Sequence, residues 1–218
     1  MPRADLAKRR AGRRHPTVRS AAGERDRNKR ENGNADAAVF AGVRATEAER
    51  AAARPGDELV RPADVVMDRA FTVAGGPAEV WPWLVQLGKR RAGWYLPHGL
   101  ERLLPRSGRA SRIIEPAWQE LTVGDVIPDY GGRDATFEVA RIDRPTSLVY
   151  RSTRGRMNVS WSIHLSPASD GVTRIHLRLR LGPVRRKRLA ELGGGLVDLL
   201  TIAGLAAGLR ERVGPATG

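Results

Sequence analysis

The chain has 218 residues, 38 Lys and Arg against 24 Asp and Glu for a formal net charge of +14, and no cysteine. That composition excludes disulfides, thiolate nucleophiles and cysteine-ligated zinc, and the length suits one ordinary domain with extra chain. No apolar signal core follows Met1-Pro2-Arg3, and Asp198 interrupts the most apolar run, Gly193 to Leu209, which falls short of the roughly 20 residues a bilayer span needs; a cytoplasmic protein is expected, in peripheral contact with a membrane at most.

Residues 1–42 form a block of their own. Lys8-Arg9-Arg10, Arg13-Arg14 and the run from Arg25 to Arg30 are interleaved with Gly, Asn, Asp and Ala. Such a segment cannot bury enough apolar surface to offset its ordering entropy and is expected to be a disordered, solvated tail. Basic runs of this kind can also contact nucleic acid or anionic lipid. The tail lacks the interleaved aromatics that stack single-stranded bases, which counts against nucleic acid as a partner. The domain is expected over residues 43–213, with 214–218 again disordered.

Thr46-Glu47-Ala48-Glu49 is a capping-box pattern and predicts a short helix through about Ala53, ended before Pro55-Gly56. Val65 to Val73 reads as a first strand, broken by Gly75-Gly76. Pro77 suits the first position of a helix whose apolar spacing runs from Val80 through Leu87, with Gly88 as its stop and Pro82 disturbing its first turn. A second short helix is expected from about His98 to Leu104. Five strands follow: Val126-Ile127, Ala135 to Ile142, Ser147 to Ser152, Asn158 to Leu165 and Thr173 to Leu181, with turn residues between them. In the last two the alternation is clear. Trp161, Ile163 and Leu165 share one face, and Ser160, Ser162 and His164 the other. Ile175, Leu177 and Leu179 lie opposite Arg174, His176, Arg178 and Arg180. That pattern predicts an antiparallel meander with one wet face.

A long helix is expected to close the chain, from about Val184 or Arg188 to Val213. Leu189, Leu192, Leu196, Leu199 and Ala203 form its main stripe, widened by Val197, Leu200 and Leu205. Gly193, Gly194, Gly195, Gly204 and Gly208 each weaken a helix by roughly 1 kcal/mol against Ala. Close approach to the sheet, or room for a ligand, would explain them.

This order is α+β with an antiparallel sheet. Together with Val80 to Gly88 (Val-Trp-Pro-Trp-Leu-Val-Gln-Leu-Gly), Gly93-Trp94-Tyr95 with Leu100-Glu101, Val123-Gly124-Asp125-Val126 and the strand around Arg174, Arg178 and Arg180, it resembles the SRPBCC, or START-like, helix-grip superfamily. Its polyketide-cyclase-like members from actinobacteria are the nearest likeness, over about Gly42 to Val213. The glycine-rich terminal helix departs from that pattern. The resemblance implies a curved sheet wrapped on the last helix around an apolar cavity for a lipid, polyketide or other small hydrophobic molecule. It implies no universal catalytic residue and no cofactor, so fold likeness supports binding better than a reaction. An aromatic polyketide cyclase or dehydratase is the enzymatic alternative.

Large rings suit a pocket wall. Trp83, Trp94, Tyr95, Trp118, Tyr150 and Trp161 are the aromatic candidates, with Leu196 and Leu200 from the helix. Trp94 and Tyr95, following a glycine, are placed at the pocket mouth; of Trp81 and Trp83, two apart on a helix, at most one is expected to point fully inward. Arg178 is the polar candidate. The alternation puts it on the wet face with His164 and His176, which neighbouring strands could bring opposite each other. A reversed assignment would place Arg178 and Glu138 in the cavity to orient a polar ligand group. No histidine has metal-ligand spacing, so no metal is expected. Asp125, after Gly124, is expected to cap a turn.

Overall fold

The computed structural model describes residues 42–184 and 193–214. The basic tail before residue 42, the expected start of the last helix with Leu189 and Leu192, and residues 215–218 lie outside them.

The capping box forms as expected. The Thr46 hydroxyl accepts from the Glu49 amide at 3.1 Å, and the Glu49 carboxylate accepts from the Thr46 amide at 2.7 Å. Helix α1 runs Glu47–Ala51. Strand β1 spans Val65–Ala74, and Gly75 turns the chain at a positive φ of 93°, conformational space that glycine enters freely. Helix α2 runs Pro77–Val85, with proline in its first turn, and buries Val80, Trp81, Trp83, Leu84 and Val85. Both tryptophans are therefore buried, where at most one was expected to be. A helix enclosed on most of its circumference has more than one inward face. Helix α3 is one turn, His98–Glu101, shorter than expected, and Leu100 and Leu103 stay exposed.

Strands β2 (Val126–Pro128), β3 (Thr136–Asp143), β4 (Ser147–Arg154), β5 (Met157–Ser169) and β6 (Val172–Gly182) complete the sheet. Its order is β1-β6-β5-β4-β3-β2, and every neighbouring pair is antiparallel. Register shifts at Val139/Arg141 and Pro167/Ser169 interrupt the ladders, and irregularities of this kind bend a sheet. Helix α4, Gly195–Val213, packs on the curved sheet, chiefly over β1. This is the helix-grip arrangement that the resemblance implied. No helix among the described residues is long and apolar enough to cross a membrane.

Register assigns the two faces. Trp161 pairs with Leu179 and Tyr150, and Ile163 with Leu177 and Leu148; Tyr150, Ile163, Leu177 and Leu148 join Phe71 and Val139 in the core under α2 and α4, and Trp161 packs against it. The opposite face carries Ser160, Ser162, His164, His176 and Arg178. The expected wet face is not wet. These five residues are between 2% and 8% exposed, because the segment from Val43 to Val60 crosses over them. Val43 adds to β1 through the Ala70 amide, 3.2 Å from its carbonyl. Arg178 then donates to the Ala52, Glu49 and Arg50 carbonyls and to the Asp57 and Asp68 carboxylates at 2.8–3.1 Å. A fork of five N–H groups can satisfy that many acceptors at once, so the strip of polar strand residues becomes a buried, bonded layer.

Candidate functional site

Between the apolar face of the sheet and the first turns of α4 lies an open groove of about 450 Å³. Met67 of β1, Phe137 of β3, Met157 and Trp161 of β5, and Leu179 and Leu181 of β6 form its floor. Val197, Thr201 and Ile202 of α4 and Trp94 from the loop after Gly93 form its sides. Alternation produces the floor, since residues two apart on one strand point the same way.

Aromatic rings line one end. Trp161 stacks on Tyr150 with centroids 5.5 Å apart and planes at 19°, and it lies 6.1 Å from both Trp94 and Phe137. Tyr130 meets Trp94 edge-on at 6.3 Å. Offset and edge-on pairs of this sort hold each other beyond simple area burial. Trp94 is fixed to the helix by its indole N–H, which donates to the Thr201 carbonyl at 3.3 Å.

Among the described residues, three charged side chains reach the groove: Asp129, Arg154 and Asp198. Asp129 and Arg154 pair with each other, and the Arg154 guanidinium lies 5.2 Å over the Phe137 ring. Asp198 sits 2.9 Å from Arg69. Burial pushes its carboxyl up from the ordinary aspartate range, and the Arg69 charge opposes that push. Burial likewise raises the Tyr150 hydroxyl, which stays a neutral phenol behind Trp161.

Of the residues singled out from sequence, the structure brings Trp94 and Trp161 to the groove. Tyr150 lies behind them and borders a side cavity of about 40 Å³. Trp83 and Tyr95 are core. Their rings meet edge-on at 5.9 Å, and the Tyr95 hydroxyl donates to the Trp83 carbonyl at 2.8 Å while accepting from Gln86. Tyr95 is therefore fully buried, not at a pocket mouth. Trp118 ends a single 3-10 turn, with the Arg91 guanidinium 4.9 Å from its ring, outside the groove. Arg178 lies on the other face of the sheet, as described above. Leu196 and Leu200 point outward and are 58% and 50% exposed. Of the expected stripe, Ala203 and Leu205 are buried and Leu199 packs against the core, and Ile202, Ala206 and Leu209 join them on the inward side. Asp125 caps its turn, accepting from the Thr122 amide at 2.8 Å. Glu138 pairs with Arg151 at the surface.

Sequence reasoning missed Met67, Phe137, Leu179 and Asp198. Two signals were present: Leu179 shares the alternation that singled out Trp161, and Asp198 is the only charge in the run from Gly193 to Leu209. Among the described residues, no cluster of three or more His, Asp or Glu is arranged to hold a metal.

No family model matches the chain, and no curated protein sequence does. Solved structures with similar folds do. CalU16 from Micromonospora echinospora is 15% identical, with 70% of this chain and 77% of that one covered and a TM-score of 0.40. Protein CV1439 from Chromobacterium violaceum is 14% identical, with 69% and 97% covered and a TM-score of 0.44. The Aha1 protein from Colwellia psychrerythraea, solved as a dimer, is 12% identical, with 67% and 98% covered and a TM-score of 0.39.

Proposed function

We propose that this chain binds a small hydrophobic molecule, such as a lipid or polyketide-like metabolite, in the groove between the sheet and α4. The observation that carries the reading is Trp161. Its ring is stacked from behind by Tyr150 and flanked by Trp94 and Phe137, yet it borders an open space of about 450 Å³ instead of being closed over. Ligand sites are concave, mainly apolar and furnished with a few polar groups, and this groove has that make-up. The volume lies within the roughly 300–1,000 Å³ of small-molecule sites.

Binding is tested with N-phenyl-1-naphthylamine, a neutral dye that brightens in apolar surroundings, and with native mass spectrometry of protein purified from its own host. Saturable dye binding that Trp161→Ala weakens, with the variant still folded by circular dichroism, supports the reading. Dye binding indifferent to both Trp161→Ala and Trp94→Ala would remove it.

A further inference from the structure

The described residues of α4 at the groove have spent their donors and kept their acceptors. The Thr201 hydroxyl donates back to the Val197 carbonyl at 2.6 Å, so its oxygen lone pairs remain. The Trp94 indole N–H is used on the Thr201 carbonyl. Asp198 stands three residues before Thr201, on the same side of the helix, and contributes a carboxylate. That carboxylate is incompletely satisfied. Asp198 Oδ2 lies 2.9 Å from Arg69 Nε, but neither atom makes a hydrogen bond, because the N–H is not aligned on the oxygen. Arg69 instead aims its other nitrogens at the Gly195 and Asp68 carbonyls, at 2.9 and 3.1 Å. The opposite wall offers no such opening, since Asp129 and Arg154 close on each other.

A carboxylate on an apolar wall is costly unless it is paired and hydrogen-bonded. We propose that Asp198 selects the ligand: an apolar molecule carrying a hydrogen-bond donor, in its strongest form a protonated amine, with the donor on Asp198 and Thr201 and the body against Trp94 and Trp161. An anionic headgroup at that place meets the like charge of Asp198. The inference rests on the groove being the binding site.

The test is competition against N-phenyl-1-naphthylamine by dodecylamine, 1-dodecanol and dodecanoate, each below its micelle concentration near neutral pH. Dodecylamine is expected to displace the dye at least about tenfold better than dodecanoate, with the alcohol between them. Asp198→Asn is expected to bring amine and carboxylate to within about twofold of each other. Because the net charge of +14 acts on every anion alike, the decisive comparison is variant against parent. Asp198 also contacts β1 through Arg69, so a second variant guards against misfolding. Thr201 is exposed, and Thr201→Lys, which places a cation beside Asp198, is expected to invert the preference. Dye binding that depends on Trp161 but shows equal competition, or an amine preference that survives both substitutions, overturns the Asp198 inference and leaves the groove standing. Dye that does not bind, or binds without regard to Trp161, brings down the groove and this inference together.

Discussion

The Arg178 guanidinium lies 2.9 Å from the Asp57 carboxylate, with both side chains nearly sealed from solvent, on the face of the sheet that the groove does not use. Arg178 comes from the penultimate element and Asp57 from the segment that precedes the first strand. Their contact, with the Asp68 carboxylate and three backbone carbonyls around it, fastens the N-terminal segment of the domain across the sheet.

Removing one partner of a buried ion pair leaves the other charge unpaired, which typically costs about 3–5 kcal/mol. Arg178→Ala is therefore expected to lower the unfolding free energy by about that amount, read from urea denaturation. Dye affinity of the folded fraction should not change, because the groove is on the other face. A loss below about 1 kcal/mol would show the layer to be solvated in solution.

His164 lies in the same layer, opposite His176 in register with ring centroids 6.4 Å apart. Burial lowers its pKa to about 4, helped by the charges of Arg54, His176 and Arg178 and opposed by Asp57. The fold thus requires neutral His164. A depressed histidine pKa means that protons favour the unfolded chain. This contribution is complete above the unfolded value of 6.5 and is lost as pH falls from there towards 4. The loss is on the order of 3 kcal/mol at most. Melting temperatures at neutral pH and near pH 5 should differ more for the parent than for His164→Gln; equal differences would rule out His164 as the acid-sensitive group.

Two glycines of the last helix make opposite forecasts. A Cβ on Gly208 would sit 2.6 Å from the backbone N and C of Leu96, whereas one on Gly195 would meet open space. Gly208→Ala must push the Leu96 loop away and is expected to destabilise by about 1–3 kcal/mol, as overpacking does. Gly195→Ala is expected to stabilise by up to about 1 kcal/mol through helix propensity alone. Thermal denaturation of the two variants checks both signs.

The glycines also show what local pattern leaves open. Their helical setting was legible, with close approach to the sheet and room for a ligand as the two explanations. At Gly204 and Gly208 it is the Leu96 loop that approaches, where the sheet or a ligand was expected, since nothing in the spacing of glycines names what approaches them. The groove was legible in part. Trp161 followed from strand alternation and Trp94 from its place after Gly93. Leu196 and Leu200 were misassigned because α4 is apolar around most of its circumference, so several rotations satisfy the same spacing.

From its order of residues alone this chain specifies its capping box, its antiparallel strands, the alternation that puts Trp161 and Leu179 on one face and Arg178 on the other, and the helix that closes the domain. These are local properties, set by propensity, turn chemistry and periods of two and 3.6 residues. Tertiary structure alone decided what covers each face. Residues 43–60 bury the polar side through Arg178, and α4 turns Ile202 inward and Leu200 outward, leaving Asp198 over the groove. Periodicity sorts side chains into opposite faces but carries no information about which distant segment will pack against either one, because that depends on contacts between residues more than a hundred positions apart.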